Sequence, residues 1–300
     1  MIQFYHHNEI NKVAWDNCIE NSHNGLVYAC SWYLDIVCPE WEALIDGDYE
    51  TIMPLPVKNK FGISYLIRPY FTQQLGIFSI KSITENLVSE FINSIPNHFK
   101  YCNFYFNAEC NISAPNIYEN GITYVLPLHQ SYKSIYNEFS TNNKRNLKKA
   151  QDSELKVSNL ENSELFCTFY NNHGKFNPGK QFLSLLKTLV GEIRQRNMGE
   201  IKVVYNRNNE ILSAVLWLKH KKWIIYLISC SSDEGKENGS NFLLVDTFLK
   251  ENSGNNLTVD FEGSSIPGLA RFYEGFGARP LKFPLLKYNH LPFPFNLFKR

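Results

Sequence analysis

The stretch that decides the fold of this chain is VDFEGSSIPGLARFYEGFGA, residues 259–278, where a short strand turns into a helix. Open sheets flanked by helices hold their ligands at the carboxyl ends of strands. Asp260 and Glu262 alternate with apolar residues, so we expect both carboxylates to project from the same side of the strand. One of them would then act as a general base with Tyr273 as proton donor, and the alternative is an ion pair between Asp260 and Arg271.

The composition indicates a compact protein without a strong overall electrostatic field. Hydrophobic residues make up 44% of the 300 residues, which is enough apolar surface to offset the chain entropy of folding. A chain of this length favours two domains. The 30 basic and 29 acidic side chains leave a net charge of +1, so contacts with a polyanion must be local and we expect no DNA partner.

The cysteines and histidines argue against a disulfide framework and a metal site. The seven cysteines are scattered and never spaced Cys-x-x-Cys, which favours reduced, mostly buried thiols, and the eight histidines show no metal-binding spacing. The N-terminal residues lack a basic region followed by an apolar run, and no segment approaches about 20 uncharged apolar residues. We therefore expect a cytoplasmic protein with no metal and no membrane insertion.

The second half of the chain alternates between helical and strand periodicity. Two amphipathic helices are followed by three antiparallel strands, a polar loop, a helix, a strand, a helix and a closing strand. The two helices are predicted at residues 163–172 and 180–197, the three strands at 201–205, 211–218 and 223–229, and the polar loop at 231–240. The next helix has its apolar face from Phe242, and it is followed by a strand at 257–261, a helix at 267–276 and the closing strand at 281–288.

The first half repeats this order more loosely. Its predicted elements are a strand at 2–5, helices at 9–20 and 31–37, strands at 41–45, 51–57 and 63–67, a helix at 82–95 and a strand at 102–106. Between the halves, residues 132–151 predict a helix that is broken and capped again at residues 140–143. We place the domain boundary near residue 130, which gives domains 1–130 and 131–300, the second including this linking helix.

The linking helix carries the densest basic cluster of the chain. Lys144 and Lys148 are four residues apart, as are Arg145 and Lys149, so all four share one face just after a predicted N-cap. Such a face suits a phosphate or a carboxylate. An ordinary solvated face explains the pattern as well.

Two further segments suit ligand binding. Residues 236–241 present backbone amides and a helix N-terminus to an anion, although only Gly235 and Gly239 supply glycine, and an ordinary capped loop fits equally well. Residues 68–76 mix one arginine with aromatic and amide side chains, which is typical of a binding lip and also of a packed turn. The candidate residues of this lip are Arg68, Tyr70, Gln73 and Gln74.

Familiar catalytic motifs are absent from the sequence. There is no Gly-x-Ser-x-Gly elbow, no phosphate loop ending in Gly-Lys-Ser/Thr and no Gly-x-Gly-x-x-Gly. Hydrolase, NTPase and dinucleotide-binding functions are therefore disfavoured.

The element order of the second half resembles the GNAT acyltransferase fold, in which a polar loop enters a helix after the third strand. FSTNNKRNLKKA at 139–150, followed by residues 154–157, is similar to a segment of FemAB-like transferases where an Arg precedes a Lys-Ala pair and a short strand. Residues 260–264, with 272–273 and 276–278, resemble the C-terminal signature of that group. The resemblance covers most of the chain and is strongest from about residue 135 to 280.

This resemblance implies an α+β fold of two GNAT-like domains in tandem, each a mostly antiparallel mixed sheet flanked by helices, with a cleft between the halves. It implies acyl transfer to an amine. In FemAB-like enzymes the donor is an acyl-coenzyme A or an aminoacyl-tRNA, and the best-known members add amino acids to peptidoglycan precursors. By motif position, Arg145 and Lys148 would hold an anionic substrate group, and Tyr273 with the segment from Asp260 to Ser264 would line the cleft.

The sequence does not decide which acyl donor the protein would use. The coenzyme A loop of GNAT enzymes runs Gln or Arg, two residues, Gly, one residue, Gly or Ala, whereas residues 236–241 keep the basic residue and the first Gly but end in Asn. The expected donor contacts are Ser229, Lys236, Gly239, Ser240 and Asn241, and main-chain amides of the strand at 223–229 would stabilise the oxyanion.

Three functions follow from the resemblance. We expect an acyltransferase with a small-molecule or cell-wall-precursor acceptor and acyl-coenzyme A as the candidate donor. One alternative is an aminoacyl-tRNA-dependent peptidyl transferase acting on cell-wall precursors, which the net charge of +1 disfavours because tRNA needs a broad basic surface. The other is a non-catalytic binding module on the same fold.

Overall fold

A computed structural model describes residues 1–60, 62–110, 116–263, 266–293 and 295–297. Contacts divide the chain into unit 1, Met1–Ile122 with Lys282–Arg300, and unit 2, Thr123–Leu281. This division differs from the expected boundary near residue 130. It also assigns the end of the chain to unit 1, because Leu285 and the residues after it pair with the strand at Tyr101–Tyr105.

Unit 1 contains two sheets and three α-helices among its described residues. Their bounds are β1 (Gln3–Tyr5), α1 (Lys12–Asn21), α2 (Ser31–Val37), β2 (Glu42–Asp46), β3 (Thr51–Leu55), β4 (Val57–Lys60), β5 (Ile63–Ile67), β6 (Phe78–Ser79), α3 (Glu85–Asn93) and β7 (Tyr101–Tyr105). The first sheet has the order β1-β2-β3-β6 and is antiparallel. In the second, β4 pairs with β5, and β5 runs parallel to β7.

The strand predicted at residues 51–57 is divided into β3 and β4, which belong to different sheets. Pro56 has no N–H to donate to a ladder, and proline interrupts pairing inside a sheet, whereas Pro54 stays within β3 opposite Ala43. The chain changes sheets at Pro56, whose carbonyl accepts a hydrogen bond from the Ile67 N–H at 3.1 Å.

Unit 2 is built on a mixed sheet flanked by helices. Its elements are the end of β8 (Ile117–Pro127), α4 (Tyr132–Asn137), α5 (Thr141–Asp152), β9 (Lys156–Asn159), α6 (Ser163–His173), α7 (Lys180–Gln195), β10 (Gly199–Tyr205), β11 (Ile211–His220), β12 (Trp223–Ser231), α8 (Asp233–Asn238), α9 (Ser240–Asn252), β13 (Thr258–Asp260), α10 (Pro267–Glu274) and the start of β14 (Arg279–Asn289). The strand order is β8-β13-β12-β11-β10-β9, in which only β12 and β13 are parallel neighbours.

The polar segment that the sequence suggested as a loop is largely the short helix α8. The Ser232 side chain caps this helix by accepting a hydrogen bond from the Gly235 N–H at 3.0 Å. Asp233 and Glu234 lie in its first turn, where negative charge favours a helix. Capping and first-turn charge therefore form this helix without an apolar stripe.

The linking helix breaks and is capped again at Ser140, as the sequence predicted. The Ser140 hydroxyl accepts from the Asn143 N–H at 3.1 Å, and the Ser140 N–H donates to the Gly275 carbonyl at 2.9 Å. The buried Asn143 amide donates to the Phe272 carbonyl at 3.1 Å. A Cβ on Gly275 would lie 2.2 Å from Asn143 Oδ1, so α5 begins in close contact with the end of α10.

The cysteine side chains are free thiols that lie mostly inside the fold. All seven cysteines are free and six are buried, as their spacing predicted, and burial raises the pKa of the Cys230 thiol to about 12. No helix within the described ranges combines the length and the apolar character needed to cross a bilayer.

Replacing Asn143 with alanine is expected to lower the free energy of unfolding by about 1–3 kcal/mol, because the part-buried Phe272 carbonyl loses its donor and the α5–α10 contact loses its amide. Chemical denaturation measures this. Thr141→Ala, an exposed change in the same helical turn, is the control and should leave stability nearly unchanged. Equal effects of the two changes would contradict the proposed importance of the Asn143 contact.

Candidate functional site

The parallel strands β12 and β13 separate after three residue pairs. Their register ends at Ile225 and Asp260, whereas β12 continues against β11 as far as Ser231. Along this continuation Trp217 pairs with Tyr226 and Leu216 with Ile228, so Leu227 is an extra, bulged residue. Bulges bend a strand and re-aim its neighbours. The carboxyl end of β12 therefore has an edge on which its pairing with β13 has ended.

A cavity of about 1110 Å³ lies at this end of β12 within unit 2. Its walls come from residues 229–231 of β12, the start of α9, one face of α10, and the end of α6 with the residues that follow it. Small-molecule sites usually enclose about 300–1,000 Å³. The cavity is therefore large enough for a sizeable ligand.

The predicted donor residues mostly lie together at this cavity. Ser229, Lys236, Gly239 and Asn241 all line it. Ser240 differs, because its side chain is fully buried and its hydroxyl donates to the Gly235 carbonyl at 2.9 Å. Ser240 therefore stabilises the turn between α8 and α9.

Backbone packing explains the two glycines of this turn. Gly239 has a φ of +71°, which is costly for other residues, and a Cβ there would lie 2.9 Å from the carbonyl oxygen of Asn146 on α5. A Cβ on Gly235 would lie 2.2 Å from the Leu212 carbonyl. The first turn of α9 and Lys236 remain as the groups that attract an anion here.

Asp260 is the last residue of β13 and is only 6% exposed. Its Oδ1 accepts hydrogen bonds from the Thr123 hydroxyl and, at 2.8 Å, from the Glu262 N–H. Burial raises the pKa of this carboxyl to about 6, and the two hydrogen bonds oppose that rise. Asp260 is not among the residues that line the cavity.

Glu262 does not continue the alternation expected from the sequence. The strand ends at Asp260, and Glu262 has a left-handed φ of +57° with its N–H turned back to that carboxylate. The two carboxylates therefore do not share one side of a strand. The suggested ion pair is replaced as well, since Arg271 Nε donates to the Pro267 carbonyl at 3.2 Å.

Tyr273 lies in a buried aromatic cluster. Its ring stacks on that of Phe261, with 5.0 Å between the ring centroids. The centroids of the Tyr124 and Tyr226 rings lie 5.9 Å and 6.1 Å from that of Tyr273. Burial holds the pKa of Tyr273 well above its usual range. The cluster reaches the cavity through Tyr226, whose hydroxyl accepts from the Asn241 amide at 2.8 Å.

The predicted basic face of α5 is largely in solvent. Lys144 is half-buried, donates to the Asn137 carbonyl at 3.1 Å and lies over the Tyr136 ring at 5.3 Å. Arg145 and Lys148 are exposed, and neither lines the cavity. Arg145 comes within one hydrogen bond of it, because its guanidinium donates to the cavity-lining Asn142 at 2.9 Å.

The predicted binding lip belongs to unit 1. Arg68 is exposed over the Tyr105 ring at 5.3 Å, and Tyr70 is 43% exposed. Gln73 and Gln74 are buried and bond to each other at 2.7 Å, so this pair packs inside the unit. Ser264, the last predicted substrate residue, lies outside the described residues.

Sequence patterns missed the contribution of α6. Tyr170, His173, Lys175 and Phe176 line the cavity, and the Tyr170 hydroxyl holds this segment by donating to the Phe176 carbonyl at 2.7 Å. Burial raises the pKa of Tyr170 to about 12. Only the three-dimensional contact with β12 brings these residues to the site, and local periodicity carries no such information.

The charged groups of the cavity favour an anionic ligand. Lys175, Lys236 and Arg271 face one carboxylate, Glu274, among the described lining residues. Lys236 also forms an exposed ion pair with Asp233 at 2.7 Å, and exposed ion pairs contribute little to folding stability. Within the described ranges, no group of three or more His, Cys, Asp or Glu side chains is arranged to hold a metal ion.

Comparisons with solved structures identify the fold. FemX superposes with a TM-score of 0.69 at 12% identity over 99% of both chains. L-PGS from Bacillus licheniformis gives 0.54 at 11% identity over 96% of this chain and 95% of its own. A conserved protein of unknown function from Bacteroides thetaiotaomicron gives 0.54 at 8% identity over 96% of this chain and 100% of its own. No family model and no curated protein matches the sequence.

The chain therefore has a GNAT-like, FemAB-like fold. It is an α+β fold with mixed sheets flanked by helices, and it matches the tandem GNAT-like structure of FemX. This confirms the fold class predicted from the element order and from the two motifs. Each unit contains a parallel strand pair connected through a helix, β5 and β7 through α3, and β12 and β13 through α9.

Gly239→Ala is expected to lower the free energy of unfolding by about 1–3 kcal/mol through backbone strain and overpacking against Asn146. Gly254→Ala is a matched control, because Gly254 also has a positive φ, +80°, but no atom within 4 Å of an added Cβ. Thermal or chemical unfolding should show the larger loss for Gly239→Ala. A larger loss for Gly254→Ala would contradict the packing argument.

Asp260→Asn is expected to remove a pH dependence of stability. The folded-state pKa of about 6 lies above the ordinary value of 3.8, so between these values the native state keeps a proton that the unfolded state loses. The free energy of unfolding therefore falls as the pH rises from about 4 to 6, by roughly 3 kcal/mol for a shift of about two units. Asparagine retains an oxygen acceptor and should abolish this slope.

Urea denaturation from pH 4 to pH 7 measures the effect. Asp152→Asn, which changes an exposed carboxylate, serves as the control and should keep the wild-type slope. If Asp260→Asn also keeps that slope, Asp260 does not titrate as its burial implies.

Proposed function

We propose that this protein is an N-acyltransferase that binds its acyl donor in the unit 2 cavity and transfers the acyl group to an amine of a small-molecule acceptor. The observation that carries this proposal is the separation of β12 from β13 at Ile225 and Asp260, with the cavity at the end of β12. The FemX-like fold supports the same class of reaction.

The exposed edge of β12 suits stabilisation of the developing oxyanion. Beyond Ile225 the register with β13 has ended, and the bulge at Leu227 re-aims the main chain. Main-chain N–H groups fixed in a sheet are preorganised donors, and such donors act most strongly where water is excluded. The reacting carbonyl would therefore lie beside the last residues of β12.

The anionic part of a coenzyme A donor fits beside the start of α9. The first turn of α9 directs N–H groups toward an anion, and Lys236, Lys175 and Arg271 add positive charge. The acceptor amine then attacks the thioester carbonyl carbon. A C–N bond forms, the C–S bond breaks, and the proton lost by the amine balances the leaving thiolate.

The catalytic assignment of Asp260, Glu262 and Tyr273 stays a prediction. A carboxyl with a pKa of about 6 suits a general base near neutral pH, but the Asp260 carboxylate is held by Thr123 and by the Glu262 N–H. His173 and Glu274 do line the cavity and belong in the same mutational test. We propose that Asp260 chiefly positions the turn between β13 and α10.

The acceptor site is proposed on the exposed face of α5. Arg145 and Lys148 would bind an anionic group of the acceptor, as the resemblance implied, with Asn142 connecting Arg145 to the cavity. This is compatible with a phosphate-bearing cell-wall precursor as well as with other anionic amines.

Ser229→Trp is expected to abolish donor binding and thiol release, because an indole would fill the cavity beside the end of β12. Lys219→Trp is the control, since Lys219 is also exposed on a strand but lies on β11 opposite Ile224, before the strands separate. Calorimetry with desulfo-coenzyme A and with aminoacyl-tRNA measures donor binding, and thiol release from acetyl-coenzyme A with a panel of amines measures transfer.

The outcomes separate the candidate functions. Binding of desulfo-coenzyme A that Ser229→Trp removes and Lys219→Trp retains would support the proposal. Binding of aminoacyl-tRNA alone would instead identify an aminoacyl transferase. Binding of neither donor would contradict the proposal and favour a binding module.

A further inference from the structure

Six large apolar side chains line the cavity. They come from the end of α6, the start of α9 and the length of α10, and they are Tyr170, Phe176, Phe242, Ile266, Leu269 and Phe272. An acetyl group has a single methyl to bury and needs no wall of this extent. The lining therefore matches a ligand that is much more apolar than acetate.

This apolar wall is held in place by contacts within unit 2. The Phe242 and Phe272 rings meet edge to face at 4.8 Å, which joins α9 to α10. On the other side, Phe176 contacts the Phe182 ring at 5.4 Å, and its carbonyl accepts from the Tyr170 hydroxyl. The cavity thus has an ordered apolar lining on both sides.

Two large apolar side chains of the lining are also open to solvent. Phe176 is 56% exposed and Ile266 is 58% exposed. Single exposed hydrophobic residues are common on protein surfaces, but these two border the same cavity. An apolar chain lying against them removes their surface from water together with its own.

The charges of the cavity disfavour an aminoacyl group. The α-ammonium of an aminoacyl donor would enter a site with Lys175, Lys236 and Arg271, opposed by one carboxylate among the described lining residues, Glu274. All three cations are exposed, so solvent weakens their repulsion of an ammonium group, but the repulsion still opposes its entry. An uncharged acyl group avoids this cost.

We infer that the group transferred by this protein is a medium-chain or long-chain fatty acyl group, an inference that rests on the proposed acyltransferase function. The acceptor nitrogen attacks the carbonyl carbon of the fatty acyl thioester and forms the amide C–N bond. The C–S bond breaks, the carrier thiolate leaves, and the proton lost by the amine balances it. The product is an N-acyl amide whose chain lies along Phe176 and Ile266.

Chain length in the ligand provides the test. Calorimetry on the 300-residue protein measures the affinities of S-alkyl-coenzyme A thioethers from ethyl to dodecyl. Free fatty acids of matching length form a second series. Each buried methylene is expected to tighten binding about four-fold until the chain leaves the cavity. The thioethers carry no reactive carbonyl, so the measurement does not depend on turnover.

Substitutions at the exposed apolar residues of the cavity test where the acyl chain binds. Phe176→Ser and Ile266→Ser should each weaken dodecyl binding about ten-fold more than ethyl binding, because each removes apolar surface that only the longer alkyl chain covers. Serine is a favoured residue at the N-cap position that Ile266 occupies on α10, so the fold should be retained. The controls are Phe293→Ser and Ile80→Ser, which change exposed residues of unit 1.

Each outcome has a distinct meaning. Equal affinity for ethyl and dodecyl thioethers would overturn the fatty acyl inference and leave the proposed transferase function standing. Binding of the fatty acids alone, with sensitivity to Phe176→Ser and Ile266→Ser, would support the chain site and contradict a coenzyme A donor. Failure of both series to bind would overturn both proposals.

Discussion

The parallel pairing of β12 and β13 ends at Ile225 and Asp260, and the candidate site of unit 2 depends on that separation. A strand in a sheet must satisfy its N–H and C=O groups on both edges. Beyond Ile225, β12 pairs with β11 on one edge, and its register with β13 on the other edge has ended. The chain leaves the carboxyl end of β12 through α8 and α9 before it returns in β13. Such a crossover necessarily starts its helix at the end where the strands part, so the α9 N-terminus, the open strand edge and the cavity converge.

Polar contacts then fix the end of β13 and the end of α10. Asp260 ties the end of β13 to Thr123 and to the turn that follows, although its burial raises its pKa to about 6 and makes ionisation costly. Asn143 joins the start of α5 to the end of α10 through the Phe272 carbonyl. Between them, Tyr273 stacks on Phe261 within the aromatic cluster. The carboxyl end of α10 is therefore held against α5, while Ile266, Leu269 and Phe272 line the cavity.

The sequence predicted the fold well where local physics decides it. The limits of α2 and β5 and the capped break at Ser140 were predicted from periodicity and capping, and most other elements differ by a few residues at their ends. Differences arose where distant parts of the chain compete with local signals. Pro56 divides one predicted strand between two sheets, pairing of β14 with β7 assigns the end of the chain to unit 1, and Glu262 adopts a left-handed conformation that ends the expected alternation. At the site, the α8–α9 turn was recognisable from its polar residues and glycine. The contribution of Tyr170 and Phe176 was not, because it depends on a contact between separate segments.

The most direct test of the account is a crystal structure of the full chain with a non-reactive S-alkyl-coenzyme A thioether. The account predicts the diphosphate beside the first turn of α9, the sulfur beside the end of β12 and the alkyl chain against Phe176 and Ile266. A thioether bound elsewhere in unit 2, or bound only in unit 1, would contradict the assignment of the cavity as the acyl donor site.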